Sequence, residues 1–229
     1  MKLLLVTFFL MIAQAAGNAE TPAKKTVADR VTEFGEVVRQ RLEPKFRAAG
    51  LPYPPARVTL IGLKQERVLE VYAAAGDGAP RFVCSYPVLA ASGGLGPKLR
   101  EGDRQVPEGI YRVRELNPNS LFHLSIWLNY PNGHDRLRAA TERRSKLGGE
   151  IMIHGKAASK GCLAMGDPAA EDLFVLTALT GIQNVNVILA PTDFRKEPAP
   201  PLLPSGTPPW TGELHEQIKR ELLPYHGPG

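Results

Sequence analysis

Apolar residues recur along this chain with two different periods. Between 26 and 42, Val27, Val31, Phe34, Val38 and Leu42 step by three or four residues and share one face of an amphipathic helix. Thr26 can cap its start, and Pro44, which has no amide hydrogen to donate, is expected to end or kink it. From residue 57 the period becomes two. RVTLIGL (57–63), RVLEVYA (67–73), FVCSYPV (82–88) and GIYRVRE (109–115) are rich in β-branched and aromatic residues and read as strands. LFHLSIWL (121–128) alternates, with Phe122, Leu124, Ile126 and Leu128 on one face and His123, Ser125 and Trp127 on the other. EIMIHG (150–155) and NVNVILA (184–190) add two more strands. Turn residues at 76–80, 93–96, 130–133 and 148–149 separate these runs. Asp167-Pro168 predicts a helix start, with Asp as N-cap and Pro at the first helical position, and Gly181 predicts its end.

Short strands with frequent turns predict a mainly β (β+α) fold, a largely antiparallel sandwich or barrel with helices at both ends. Residues 197–209 hold six prolines and read as an extended linker. A last helix at about 212–223 carries Leu214, Ile218 and Leu222 at four-residue steps, an apolar stripe expected to strap across the domain. His134, His215 and His226 read as surface residues, and Cys84 as a small hydrophobe packed in its strand.

The first residues carry one Lys, an apolar run from Leu3 to Ala16 and small residues after it, the pattern of a secretory signal peptide over 1–19. The run is short for a bilayer span, which needs about 20 residues, so no stable membrane span is expected after cleavage. Secretion, to the periplasm, is the expected location. Loss of that one Lys lowers the formal charge from +5 to +4. The basic residues are dispersed, which excludes a nucleic-acid footprint. Two cysteines remain, Cys84 and Cys162. A single structural disulfide between them is one reading, and it would remove any thiol chemistry.

The segment IMIHGKAASKGCLAM (151–165) concentrates the candidate chemistry. His154 ends a strand, and Gly155 permits close approach of a ligand to the backbone. Ser159-Lys160-Gly161-Cys162 leads toward the helix at Asp167. Backbone N–H groups near Gly161, and the positive charge of Lys160, would favour a thiolate at Cys162. His154 lies eight residues upstream, within reach as proton acceptor, and the same N–H groups could hold an oxyanion. A lone His and Cys are also compatible with purely structural roles. His123, His154, Cys162 and Asp167 match no recognised metal-ligand spacing, so neither metal nor cofactor is expected.

His154-Gly155 followed by Ser159-Lys160-Gly161-Cys162 resembles the signature of the L,D-transpeptidase (YkuD-type) catalytic domain family. The resemblance extends to GPKLREGDRQVPEG (96–109), which closes on Val106-Pro107-Glu108-Gly109, and to FHLSIWLNYPNGHDR (122–136). Together these look like the YafK-like branch and cover roughly 56–195. The implied organisation is a signal peptide (1–19), an N-terminal helical segment (20–55), a catalytic domain (56–195) that is an L,D-transpeptidase-like β-sandwich with a short helix after the Cys, and a Pro-rich linker with a C-terminal helix (196–229).

The resemblance implies Cys162 as nucleophile and His154 as base, with Gly155, Ser159 and Gly161 shaping the turn that holds the oxyanion. A backbone carbonyl, in place of a carboxylate, would orient the histidine. The implied substrate is the peptidoglycan stem peptide at its diamino-acid residue, attacked to give a thioacyl-enzyme. Hydrolysis would release a peptide or a wall-linked lipoprotein. Cross-link formation, and a non-catalytic wall-binding role, are the alternatives.

Three departures stand out. The His-to-Cys interval is short, Ala164 stands where many members place Arg, and a charged segment (98–105) precedes the Pro-Glu-Gly turn. Substrate contacts are therefore expected from Lys98, Arg100, Glu101, Arg104 and Gln105, together with Lys160 and His123.

Overall fold

A computed structural model describes residues 23–197, 199 and 201–227; the signal-peptide reading of 1–19 lies outside the described residues. The elements in order are α1 (Val27–Ala48), β1 (Arg57–Leu63), β2 (Val68–Ala74), β3 (Arg81–Pro87), β4 (Ala90–Ala91), β5 (Gly109–Ser120) and β6 (His123–Leu128). There follow α2 (Gly133–Thr141), β7 (Met152–His154), β8 (Leu163–Ala164), α3 (Asp167–Thr180), β9 (Val185–Ala190) and α4 (Thr211–Leu222).

The strands form one mixed sheet in the order β3-β2-β1-β9-β5-β6-β7-β8-β4. The β1/β9 and β7/β8 ladders are parallel and the others antiparallel. Strand β5 serves both halves. Gly109–Arg112 pair with β9, and register shifts beyond Val113 accompany the pairing with β6. The second half packs back over the first, because a Cβ placed on Gly62 of β1 would lie 3.2 Å from Leu163 of β8.

The period of two explains the layers. Leu60, Leu69, Val71, Val187 and Leu189 join one core with Val38, Leu42 and Phe46 of α1 and Leu173 and Phe174 of α3. Their neighbours Ile61, Leu63, Tyr72 and Ile188 face the other way and pack under Leu214, Ile218 and Leu222 of α4. Each such fully buried side chain contributes about 1.5–3 kcal/mol, so α4 is a strap that seals the far face of the sheet.

Three local expectations are corrected. Helix α1 runs through Pro44 to Ala48. Phe46 in its last turn is fully buried, and that burial outweighs the one backbone hydrogen bond proline cannot make. The turn at 130–133 opens a helix, because Asn132 and Asp135 form a reciprocal capping box. His215 is not at the surface. It is buried on α4, and its Nε2 lies 2.7 Å from Glu108 Oε2.

Candidate active site

The parallel β7/β8 pair builds the site. Parallel neighbours need a crossover, and here the connection is only the segment 155–162. The pairing is therefore confined to Ile153↔Leu163 and His154↔Ala164. The short return brings Cys162 alongside Met152, two residues along the strand that ends in His154.

His154 is 1% exposed and Cys162 7%, so both sit beneath the surface. His154 Nδ1 lies 2.6 Å from the Gly155 carbonyl oxygen. A carbonyl only accepts, so Nδ1 carries the proton and the Nε2 lone pair of the neutral ring is the basic one. The ring stacks on Phe122, with centroids 4.4 Å apart. Burial pushes the imidazole below its ordinary pKa, opposed by the Gly155 hydrogen bond.

The Cys162 thiol donates to the Glu150 carbonyl at 3.5 Å. Burial raises its pKa, and nearby Glu150 adds to this, whereas a Met152 backbone hydrogen bond and the Lys98 charge act against it. The expectation of a thiolate favoured by Lys160 is corrected. The Lys160 side chain is exposed, and the thiol rests neutral because it is buried.

Glycine is required at two points. A Cβ on Gly155 would lie 2.5 Å from Asp167 Oδ1 and 2.7 Å from the Phe122 carbonyl. Gly161 has φ +106°, and its N–H donates to Ser92 Oγ at 2.6 Å. The Cys162 N–H donates to Ser159 Oγ at 3.1 Å, and that hydroxyl donates on to the Cys162 carbonyl. Both N–H groups expected to hold an oxyanion are thus engaged by hydroxyls in this state. Asp167 is the first residue of α3 and not its cap, which is Gly166. Its carboxylate instead accepts from the Lys156 N–H at 2.8 Å and ties down the loop after His154.

The charged segment 98–105 is ordered around Asp103. That carboxylate accepts from Lys98 Nζ and from the N–H groups of Leu99, Arg100 and Gln105. Burial would raise Asp103, but the Lys98 bond and these amides hold it below the ordinary carboxylate range.

Of the residues expected to touch substrate, Lys98, Glu101, Arg104 and Lys160 line one cleft of about 520 Å³, walled also by Ile151 and by Glu150, whose carbonyl accepts the Cys162 thiol. Three are placed otherwise. Gln105 spends its amide on the Gly94 and Gly96 carbonyls, and Arg100 and Gln105 line a separate groove against Pro204 and Pro208. His123 begins β6 at φ +72°, which turns its ring onto Glu171 (3.1 Å) and Phe34 and away from the cleft. Ala164 is fully buried on β8 between β7 and β4, so no charged side chain projects from this position.

Sequence reasoning missed Ser92, Phe122 and Glu150, none of which carried a local signal. Arg104 (φ +55°), Glu150 (φ +54°) and Lys156 (φ +57°) are left-handed without being glycine, at roughly 1–2 kcal/mol each. Such strain gathers around working sites. Both cysteines are free, Cys84 on β3 and Cys162 before β8. Among the described residues no cluster of three His, Cys, Asp or Glu could hold a metal, and no helix is long and apolar enough to cross a membrane.

This frame matches the sequence profile of the YkuD L,D-transpeptidase catalytic domain over residues 57–187, more than half the chain. The chain belongs to the L,D-transpeptidase catalytic domain family. YafK of Escherichia coli K12, whose name assigns it provisionally to the L,D-transpeptidases, is 37% identical over 113 residues. That stretch is 48% of this chain and 43% of YafK, so less than half the length of that relative is matched. The helical cell shape determining protein Pgp2 of Campylobacter jejuni superposes with TM-score 0.47 at 24% identity, over 60% of this chain and 48% of that one. L,D-transpeptidase 1 of Mycobacterium tuberculosis gives 0.33 at 12%, over 58% and 61%. Both are distant. What the match shows is kinship with a family of catalytic domains over residues 57–187.

Proposed function

We propose that the protein is a peptidoglycan-active cysteine enzyme that cleaves an amide at the diamino-acid residue of a stem peptide. The observation that carries this reading is the Gly155 carbonyl on His154 Nδ1, which leaves Nε2 as a neutral base on the strand beside Cys162. As substrate displaces the thiol from Glu150, Nε2 takes the Cys162 proton. Sulfur adds to the amide carbon. The C–N bond then breaks, and the leaving amine takes the proton back from His154. Water, deprotonated by the same nitrogen, attacks the thioacyl carbon, and the sulfur leaves as thiol. The product is a released peptide, or a lipoprotein freed from the wall.

Kinship with the L,D-transpeptidase family favours a second outcome in which an amine, not water, resolves the thioester and forms a cross-link. The signal-peptide reading of 1–19 gives the protein access to the wall in the periplasm.

Mature protein and a Cys162→Ala variant, incubated with peptidoglycan fragments with and without linked lipoprotein peptides, separate these readings by product mass. Release that needs Cys162, with a loss of at least about 10³-fold in the variant, supports hydrolysis. New cross-links or amine exchange that need Cys162 move the reading to transfer. Identical products from both proteins sink it and leave a wall-binding role.

A further inference from the structure

The Gly155–Lys156 peptide unit is held on both sides. Its carbonyl oxygen accepts from His154 Nδ1 at 2.6 Å, and its N–H donates to Asp167 Oδ1 at 2.8 Å. Resonance links the two ends of a peptide unit. A carboxylate at the N–H pushes electron density toward the carbonyl oxygen, so each hydrogen bond strengthens the other. The oxygen then holds the Nδ1 proton more firmly. It also stabilises the positive ring that forms when Nε2 takes the thiol proton.

The segment is already fastened without this carboxylate. The Gly155 N–H donates to the Leu124 carbonyl at 3.2 Å, the Met165 N–H to the His154 carbonyl at 2.8 Å and the Gly166 N–H to the Lys156 carbonyl at 2.9 Å. Lys156 Nζ donates to the Leu121 carbonyl at 2.6 Å. The Asp167 charge is not spent on a cation. Among the described residues its carboxylate makes no ion pair, and its hydrogen bond goes to the Lys156 N–H. Glycine at 155 is what lets it approach, since a Cβ there would lie 2.5 Å from Asp167 Oδ1. The other charges around the pair are engaged elsewhere. Glu171, one turn along α3, pairs with Arg41 of α1 and lies 3.1 Å from His123 Nε2 of β6. On the nucleophile's side, Cys162 feels Glu150 and Lys98, and Lys98 is paired with Asp103.

We propose that Asp167 is a positioning residue for His154 that acts through the Gly155–Lys156 peptide, one peptide unit removed from the ring. The inference rests on the proposed function for the role of His154 and adds the group that sets its strength as a base. A negative charge on this path favours the imidazolium, so its loss lowers the His154 pKa and weakens the base.

Two substitutions separate charge from clamp. Asp167→Asn removes the charge and keeps an oxygen for the Lys156 N–H; Asp167→Ala removes both. In the full mature chain carrying Cys162→Ala, heteronuclear NMR reads the His154 ring without turnover. Asp167→Asn is expected to lower the His154 titration midpoint by about half a pH unit and to move the Nδ1 proton signal upfield, with the thermal midpoint held within a few degrees. Asp167→Ala is expected to lower the titration midpoint at least as far. With Cys162 intact, Asp167→Asn is expected to lower kcat about fivefold at unchanged KM and to carry the acid limb of kcat/KM to lower pH by the same amount. A His154 midpoint that is unmoved or raised in Asp167→Asn would overturn the proposal. If only Asp167→Ala moves it, the carboxylate is a clamp and its charge is idle. The two readings fail separately. Turnover that needs Cys162, with His154 unmoved by Asp167→Asn, sinks the relay alone. A shifted His154 without such turnover sinks the catalytic reading alone.

Discussion

Two histidines, His154 and His215, are buried in surroundings of opposite kinds. His215 of α4 meets a carboxylate, Glu108, which also accepts from Lys64 at 2.9 Å and from the Gly96 N–H at 2.7 Å. His154 meets only a peptide carbonyl. Around Glu108 the charges are matched, and Lys64 also donates to the Gly96 and Val106 carbonyls. Burial pushes the Glu108 carboxyl up, but the His215 bond and the Lys64 charge more than offset this and hold it below the ordinary range. Around His154 and Cys162 no ion pair forms among the described residues, burial wins, and both groups rest neutral. The first centre locks α4 to the domain. The second is buried without an ion-pair partner, which suits the proton transfer proposed for it.

The largest effect should separate the two centres at once. His154→Gln is expected to lower kcat by about 10²–10⁴-fold while the thermal midpoint stays within a few degrees, as for loss of a general base. Glu108→Ala should do the reverse. It leaves Lys64 buried and unpaired, a loss of about 3–5 kcal/mol in denaturant unfolding, with turnover per folded molecule retained. Because the Glu108 pKa is lowered in the folded state, this contribution is complete above the ordinary carboxylate pKa. It fades as the pH falls through the lowered value, so the gap between wild type and variant should narrow in acid. A Glu108 variant that is stable but inactive would merge the two centres into one.

A smaller effect sharpens the contrast through pH. In a Cys84→Ala background, iodoacetamide should label Cys162 faster only above the pH at which an ordinary thiol ionises, because burial raises its pKa. The acid limb of kcat/KM should fall below the ordinary histidine value, since burial lowers His154 and keeps Nε2 free to lower pH. Rapid labelling on a plateau near neutral pH would mean a preformed thiolate–imidazolium pair, and the contrast between the centres would be lost.

Much of this was readable in the chain. The seven long strand runs, α3 and the α4 stripe follow from local periodicity, and each lies within a few residues of its observed span. His154 and Cys162 were legible because their spacing is short and their neighbours are distinctive. What escaped depends on distant partners. Phe46 carries α1 past Pro44 because a sheet lies beneath it. His215 is buried because Glu108, 107 residues earlier, waits across the interface. His123 leaves its expected strand face because α3 offers Glu171. Strands β4 and β8, two residues each, are too short to leave a period.

Ser92 offers the finest test, since it joins the two centres. Glu108 fixes Gly96, Gln105 ties Gly94 and Gly96 together, and Ser92 donates to the Arg104 carbonyl at 2.8 Å while accepting the Gly161 N–H. A run of contacts therefore leads from the α4 anchor to the turn before Cys162. Gly161 cannot hold its own position. Its φ of +106° is open to other conformations once the acceptor is gone, because glycine has no side chain to restrict it. Ser92→Ala is therefore expected to lower kcat by roughly tenfold, about 1.4 kcal/mol, the size of one buried hydrogen bond, with little change in KM. Ser92→Thr, which keeps the hydroxyl, should restore most of it. A rise in kcat with Ser92→Ala would carry the opposite message. The hydroxyl would then be blocking an N–H that the oxyanion needs, and the turn would be stiff without it. Coupling decides whether the run is continuous. If the Ser92→Ala loss in kcat is unchanged in a Glu108→Ala background, measured below its lower melting point, the centres are neighbours only. A coupling above about 0.5 kcal/mol in that cycle would mean that the structural anchor helps to hold the nucleophile in place.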